Sequence, residues 1–191
     1  MTTVVNLPNT LTLARIALIP VFILVYYLPW NLAHGAAAMI FFVASFTDWL
    51  DGYLARKLEQ ISPFGAFLDP VADKLLVASS LLILVGEHTI HFITLPAIVI
   101  VGREIVISGL REWMAELGRR ASVAVNFVGK VKTAAQMTSL LLLIAYRPGF
   151  EYFQYLGIIL LYLAAILTIW SMVIYFLMAW RELAKKVEMS S

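Results

Sequence analysis

The 191-residue chain contains no cysteine, so disulfide bonds, zinc–thiolate sites and cysteine nucleophiles are excluded. It is also poor in charge: only 14% of its residues are Asp, Glu, Lys or Arg, whereas soluble domains average about 25%. A net charge of +2 does not indicate a nucleic-acid partner. Apolar residues, in contrast, make up 62% of the chain. A single core of this size cannot bury so many, so lipid is expected to cover much of the surface.

Six apolar stretches follow one another, each close to the ~20 residues that cross a bilayer. They are Leu11–Leu28, Leu32–Ala55, Ala66–Val85, Phe92–Leu110, Val128–Tyr146 and Tyr152–Trp180. The first lacks the basic flank of a cleaved signal peptide, so we expect a retained membrane helix. Short connections make neighbouring stretches antiparallel. The pattern predicts an all-α membrane protein, a six-transmembrane-helix bundle in which residues 1–191 form a single domain.

Basic residues are concentrated at one end of this bundle. With six spans both termini share a side, and that side carries Arg56, Lys57, Arg111, Arg119, Arg120, Lys130, Lys132, Arg181, Lys185 and Lys186. The other side carries a single basic loop residue, Arg147. Because positive loops stay in the cytoplasm, both termini are predicted to be cytoplasmic. The segment Trp113–Phe127 is expected to lie in the membrane interface on that side.

Four aspartates lie in or beside two consecutive apolar stretches. Asp48 and Asp51 are three residues apart, and Asp69 and Asp73 are four apart, so each pair shares one helix face. The short loop between the stretches lets the two faces meet. Clustered carboxylates in a membrane are costly unless they are compensated, and their hard oxygen ligands suit Mg²⁺ or Mn²⁺. The spacing predicts a two-metal site of the kind used for displacement at phosphorus.

Small residues accompany the aspartates. Gly52 follows Asp51 directly, and Gly65 precedes Asp69 by one turn on the same face. A glycine on a ligand face lets a substrate approach the backbone closely. Ala55 continues the small face, and Arg56 is placed where its guanidinium can hold a phosphate.

The aspartate stretch matches every fixed position of a known motif and resembles the CDP-alcohol phosphotransferase family. The matching positions are Asp48, Asp51, Gly52, Ala55, Arg56, Gly65, Asp69 and Asp73. Further segments resemble phosphatidylglycerophosphate synthases of Gram-negative bacteria. These segments are Leu7–Thr12 with Arg15, Phe64–Lys74, Arg111–Ala115 and Gly129–Met137.

The resemblance implies a homodimeric six-helix bundle in the bacterial inner membrane, with its active site open to the cytoplasmic leaflet. It implies that Asp48, Asp51 and Asp69 bind the metals, and that Asp73 is both a ligand and the general base. It also implies a site for CDP-diacylglycerol, whose residues are Asn9, Thr12, Asp48, Gly52, Ala55, Arg56, Ser62 and Gly65.

The implied acceptor, sn-glycerol 3-phosphate, carries its own phosphate and needs a second cationic site. Arg103, Arg111, Lys130 and Lys132 are the candidates. Arg103 lies inside an apolar stretch and needs a partner; Glu104 is expected to point elsewhere on the helix, which leaves a bound phosphate as the partner. A boundary role for these cations is the alternative.

Several alternatives stay open. The motif alone does not choose the acceptor, so serine, inositol phosphate or phosphatidylglycerol would also suit it. The choice between Mg²⁺ and Mn²⁺ is not decided. Intramembrane carboxylates also occur in cation transporters, but here the ionisable groups cluster at the cytoplasmic end, which favours an enzyme. Lys74 is a further candidate partner for one of the aspartates, although its side chain faces differently from that of Asp73.

Overall fold

The computed structural model describes residues 7–58, 62–87, 92–116 and 127–190; the side chains of residues 49, 55, 56, 127, 128 and 181–190 lie outside this description. Within these ranges the regular structure is entirely helical. The helices are α1 (Leu7–Tyr26), α2 (Ala33–Lys57), α3 (Pro63–Gly86), α4 (Thr94–Glu116), α5 (Phe127–Ile144) and α6 (Glu151–Ser190). The predicted all-α class is therefore confirmed over the described part of the chain.

The start of α3 is defined by local sequence. Ser62 is the N-cap, and its hydroxyl accepts a hydrogen bond of 3.0 Å from the backbone N–H of Gly65. Pro63 occupies the first helical position, where its missing N–H costs nothing. This cap fixes where α3 begins and therefore the depth at which its aspartates lie.

The helices pack into a bundle in which α1 contacts both α2 and α3, while α6 contacts α5 and α4. Phe22, Phe41, Leu84 and Leu140 are among the fully buried side chains of its core. At the α5–α6 contact, Ser139 Oγ donates a hydrogen bond of 2.6 Å to the carbonyl of Gly157. Because α1 lies against both α2 and α3, it can reach the two aspartate pairs together.

Within the residues that the structure describes, three helical segments are long and apolar enough to cross a membrane: Leu7–Tyr26, Ala33–Leu54 and Glu151–Trp180. Each buries only about a third of its residues or less inside the protein, which fits a lipid-facing surface. Helices α3, α4 and α5 carry ionisable residues within their length, which lowers their hydropathy. Chain composition and these segments together identify a membrane protein.

Two helices continue past the ends of their predicted apolar stretches. Helix α4 continues to Glu116, six residues beyond the predicted end at Leu110. Its last turn is supported by Arg111, whose Nη2 donates a hydrogen bond of 2.9 Å to the Tyr175 hydroxyl of α6. The predicted interfacial segment therefore begins as helix, and its residues 117–126 lie outside the described ranges. Helix α6 likewise continues past Trp180 to Ser190.

Candidate active site

A buried arginine of α1 lies at the centre of the aspartate cluster. Arg15 Nη1 donates hydrogen bonds to Asp48 Oδ1 at 2.8 Å and Asp73 Oδ1 at 2.7 Å. Its Nη2 makes a short contact with Asp51 Oδ2. The Arg15 side chain is fully buried. One guanidinium thus joins carboxylates from α2 and α3, and the two predicted faces do meet.

The fourth aspartate is held one turn earlier on α1. Thr12 Oγ1 lies 2.7 Å from Asp69 Oδ1 and 3.3 Å from Asp51 Oδ2. Because a hydroxyl has a single hydrogen, the shorter contact to Asp69 is the main hydrogen bond. The resemblance implied that Thr12 binds nucleotide; here it touches the aspartates themselves.

The four carboxylates differ in exposure. The Asp51 side chain is only 3% exposed, whereas those of Asp48 and Asp73 are 38% and 41% exposed. Asp69 is also partly exposed, so a substrate can reach the carboxylates of Asp48, Asp69 and Asp73, whereas that of Asp51 is enclosed.

The donor chemistry of the cluster fits a hard divalent cation, since it gathers four carboxylates, and among the described side chains the ion pairs to them come from Arg15. Among the described residues, no three acidic side chains are grouped so as to hold one metal ion. The carboxylates of Asp48, Asp51 and Asp73 are instead arranged around Arg15. The carboxylates are therefore suitable metal ligands by their chemistry, while in this structure three of them surround Arg15.

A second group of predicted site residues borders the cluster at the start of α3. Ser62 Oγ donates a hydrogen bond of 3.0 Å to Asn9 Oδ1 of α1. A methyl group at Gly65 would overlap Asn9 Oδ1 and would lie 3.2 Å from Ser62 Oγ. Gly65 is therefore required for the close approach of α1 to α3, in addition to any role beside a substrate.

The remaining predicted nucleotide contacts are on α2. Gly52 is half-buried there and directly follows Asp51, one helical turn after Asp48. Ala55 and Arg56 belong to the same helix, but their side chains lie outside the described part of the chain. Their predicted contacts stay predictions.

Lys74 does not pair with the aspartates. Its Nζ makes a short hydrogen bond to Ser108 Oγ of α4. There it borders a cavity of about 540 Å³, between α3 and α4, that Glu104 and Glu112 also line. Among the described side chains, Arg15 is thus the cation that contacts the aspartate cluster.

Two of the predicted acceptor residues, one on α4 and one on α5, contact the same carboxylate. Arg103 Nη1 lies 2.9 Å from Glu104 Oε1, and Lys132 Nζ lies 3.4 Å from the same atom. The expectation that Glu104 points away from Arg103 was therefore wrong: both side chains are long enough to bend together. Lys132 is buried, whereas Lys130 is exposed.

Helix α6 completes this second cluster. Arg103 Nη2 donates a hydrogen bond of 3.2 Å to Ser171 Oγ, and the Arg111 guanidinium lies 5.2 Å from the centre of the Tyr175 ring. Arg103 and Lys132 both contact Glu104, so these three side chains carry a net positive charge, which suits an anionic ligand.

Sequence reasoning missed Arg15, Ser171 and Tyr175 as site residues. A signal for Arg15 was present, because α1 carries this arginine among apolar residues and contains no acidic residue of its own. A buried arginine requires an anionic partner, so that partner had to come from another helix. Ser171 and Tyr175 gave no comparable signal.

Comparison with known proteins supports the resemblance. Residues 5–170 match the family model for CDP-alcohol phosphatidyltransferase. A protein of Pseudomonas fluorescens is 55% identical over 179 residues, which cover 93% of this chain and 92% of that protein. Proteins of Shigella flexneri serotype 5b and Escherichia coli K12 are each 54% identical over 170 residues, covering 89% of this chain and 92% of theirs. All three are named CDP-diacylglycerol–glycerol-3-phosphate 3-phosphatidyltransferase. The chain belongs to the CDP-alcohol phosphatidyltransferase family.

Proposed function

We propose that the chain transfers the phosphatidyl group of CDP-diacylglycerol to sn-glycerol 3-phosphate, giving phosphatidylglycerophosphate and CMP. The observation that carries the proposal is 54–55% identity, over about nine-tenths of the chain, to relatives bearing the name of that activity. The geometry agrees with it, since an acidic cluster and a basic cluster give separate places for a metal-assisted donor and a phosphorylated acceptor.

The acidic cluster is the proposed metal and donor site. Asp48, Asp51, Asp69 and Asp73 would hold Mg²⁺ or Mn²⁺ in a two-metal site. When bound, such ions would draw negative charge from the donor pyrophosphate and stabilise CMP as the leaving group.

Asp73 is the proposed general base. Its carboxylate is partly exposed, so an acceptor hydroxyl can reach it. The hydroxyl oxygen attacks the lipid-side phosphorus, the bond from that phosphorus to the CMP oxygen breaks, and Asp73 takes the hydroxyl proton. A single displacement is favoured over a covalent enzyme intermediate. The chain has no cysteine nucleophile, and no histidine among the described residues contacts this cluster. His88 and His91 lie outside those ranges.

The nucleotide would lie beside the cluster, along the start of α3. Asn9, Ser62 and Gly65 form one hydrogen-bonded group there. The residues proposed to contact CDP-diacylglycerol are Asn9, Thr12, Asp48, Gly52, Ala55, Arg56, Ser62 and Gly65.

The basic cluster is the proposed site of the acceptor phosphate. Arg103 and Lys132 exceed the single negative charge of the Glu104 that they contact, and a phosphate would balance them. Arg111 shares the Tyr175 ring with Arg103 and would add a further cation. Exposed Lys130 would add to the attraction at the entrance. Tyr175 holds Arg111 in place by a hydrogen bond and by its ring.

The proposed setting is the inner membrane of a bacterium. All six helices would span it, and both termini would be cytoplasmic. The ionisable residues of α3, α4 and α5 would face the active site rather than the lipid. The active site would face the cytoplasmic leaflet, where a soluble phosphorylated acceptor can enter. We further propose a homodimer, which the family resemblance implies.

The test is release of CMP by the purified protein in detergent, with CDP-diacylglycerol, Mg²⁺ and one acceptor at a time. Release with glycerol 3-phosphate alone, lost on chelation, is the expected result. Release with serine, inositol phosphate or phosphatidylglycerol instead would keep the mechanism and replace the acceptor. No release with any acceptor, from folded protein, would contradict the proposal and favour cation transport.

A further inference from the structure

Arg15 differs from the other described basic side chains of the site in being completely buried. Its own helix offers it no acidic partner, and its carboxylate contacts come from α2 and α3. Within the described residues its Nε is buried without a hydrogen-bond partner. Burying a guanidinium is unfavourable unless anions surround it closely, so its position depends on the assembled aspartates.

The aspartates in turn depend on Arg15. Asp48, Asp51 and Asp73 carry like charges and would repel one another if nothing lay between them. Arg15 lies between them and donates to one oxygen of each. Without a metal, the guanidinium therefore keeps the two helix faces together.

A divalent cation would approach the same oxygens. Asp48 Oδ1, Asp51 Oδ2 and Asp73 Oδ1 already accept hydrogen bonds from Arg15. An ion that coordinates them repels the guanidinium and competes for their lone pairs. Because the ion and the guanidinium are both cationic and share these carboxylates, metal binding and the three Arg15 contacts oppose one another.

We propose that Arg15 is an internal counter-ion: it holds the aspartates together in the metal-free protein and competes with divalent cations for their oxygens. It is a positioning residue that acts through Asp48, Asp51 and Asp73. The inference rests on the metal site of the proposed function. Its consequence is a pair of opposite effects, since Arg15 raises the stability of the metal-free protein and lowers its affinity for metal.

The experiment compares wild type with Arg15→Gln and Arg15→Lys as full-length, metal-stripped proteins in detergent. Mn²⁺ binding is measured without substrate by electron paramagnetic resonance of the free ion, and thermal unfolding is measured in EDTA and in saturating Mn²⁺. Arg147→Gln is the matched control, because it makes the same chemical change in the connection between α5 and α6.

Arg15→Gln is expected to bind Mn²⁺ at least about fivefold more tightly than wild type, because a charged competitor for the oxygens is gone. Its melting temperature should fall in EDTA and recover in Mn²⁺. Arg15→Lys should show a smaller change, since an ammonium lacks the planar fork that reaches three carboxylates. Arg147→Gln should match wild type in Mn²⁺ affinity.

Unchanged or weaker Mn²⁺ binding by Arg15→Gln would overturn the inference, as would an equal loss of stability with and without Mn²⁺. If Arg15→Gln does not fold, the same readouts on Arg15→Lys decide. Failure of wild type to bind Mn²⁺ would overturn both the metal part of the proposed function and this inference. Binding by wild type with no gain in Arg15→Gln would overturn this inference alone, so the two failures are distinguishable.

Discussion

Thr12 Oγ1 on α1 lies 2.7 Å from Asp69 Oδ1 on α3 and donates a hydrogen bond to it. Arg15, three residues later, lies on the same face of α1 and holds Asp73, the other aspartate of α3. Helix α1 therefore belongs to the active site, although it contributes no acidic residue. It positions both aspartates of α3, and this role makes its polar face sensitive to substitution.

Replacing Thr12 by valine should test this role directly. Valine keeps the shape of threonine but removes the hydroxyl, which leaves Asp69 without this donor. Removing the donor to a partly buried charged acceptor lowers the free energy of unfolding by about 1–3 kcal/mol. The melting temperature should therefore fall by several degrees. Thr12→Ser retains the hydroxyl and should remain close to wild type. Equal melting temperatures for the two variants would show that the hydrogen bond contributes nothing measurable.

The convergence of the aspartates was predictable because spacing within a helix fixes which residues share a face. Asp48 and Asp51 on α2, and Asp69 and Asp73 on α3, follow that rule. Arg15 was not assigned to the site because its partners lie on other helices, and spacing rules describe a single helix.

The local arrangement of the second cluster was harder to predict. Arg103 and Glu104 are neighbours in sequence and therefore leave the helix in different directions. Their long side chains nevertheless meet at 2.9 Å. The end of α4 was misplaced for a related reason, since the contact of Arg111 with Tyr175 is a tertiary interaction that hydropathy does not record.

Asp73→Asn should abolish turnover while the protein stays folded. The amide cannot accept the proton of the acceptor hydroxyl, and loss of a general base typically lowers kcat by about 10²–10⁴-fold. CMP release under saturating substrates measures the effect, and thermal unfolding checks the fold. Turnover near that of wild type would remove the assignment of Asp73 as the base.

Gly65→Ala should disturb the contact between α1 and α3. The new methyl group would overlap Asn9 Oδ1, so the buried Asn9 side chain would have to move and its hydrogen bond with Ser62 would be disturbed. We expect a stability loss of about 1–3 kcal/mol, as for other overpacked sites, together with lower activity. Gly86→Ala is the matched control on the same helix, because a methyl group there meets nothing within 4 Å. Similar losses in both variants would indicate a general effect of the helix backbone rather than this contact.

Arg111→Ala and Lys130→Ala should raise the KM for glycerol 3-phosphate more than the KM for CDP-diacylglycerol. Each removes a cation from the proposed phosphate site, and a lost charged contact of ~1.4 kcal/mol corresponds to about a tenfold change. Tyr175→Phe removes only the hydroxyl that accepts from Arg111, so it should raise the same KM by a smaller factor. Initial rates of CMP release, with each substrate varied in turn, give the two constants. Equal increases in both KM values for Arg111→Ala would mean that this cluster does not bind the acceptor, and would leave the donor site at the aspartates unaffected.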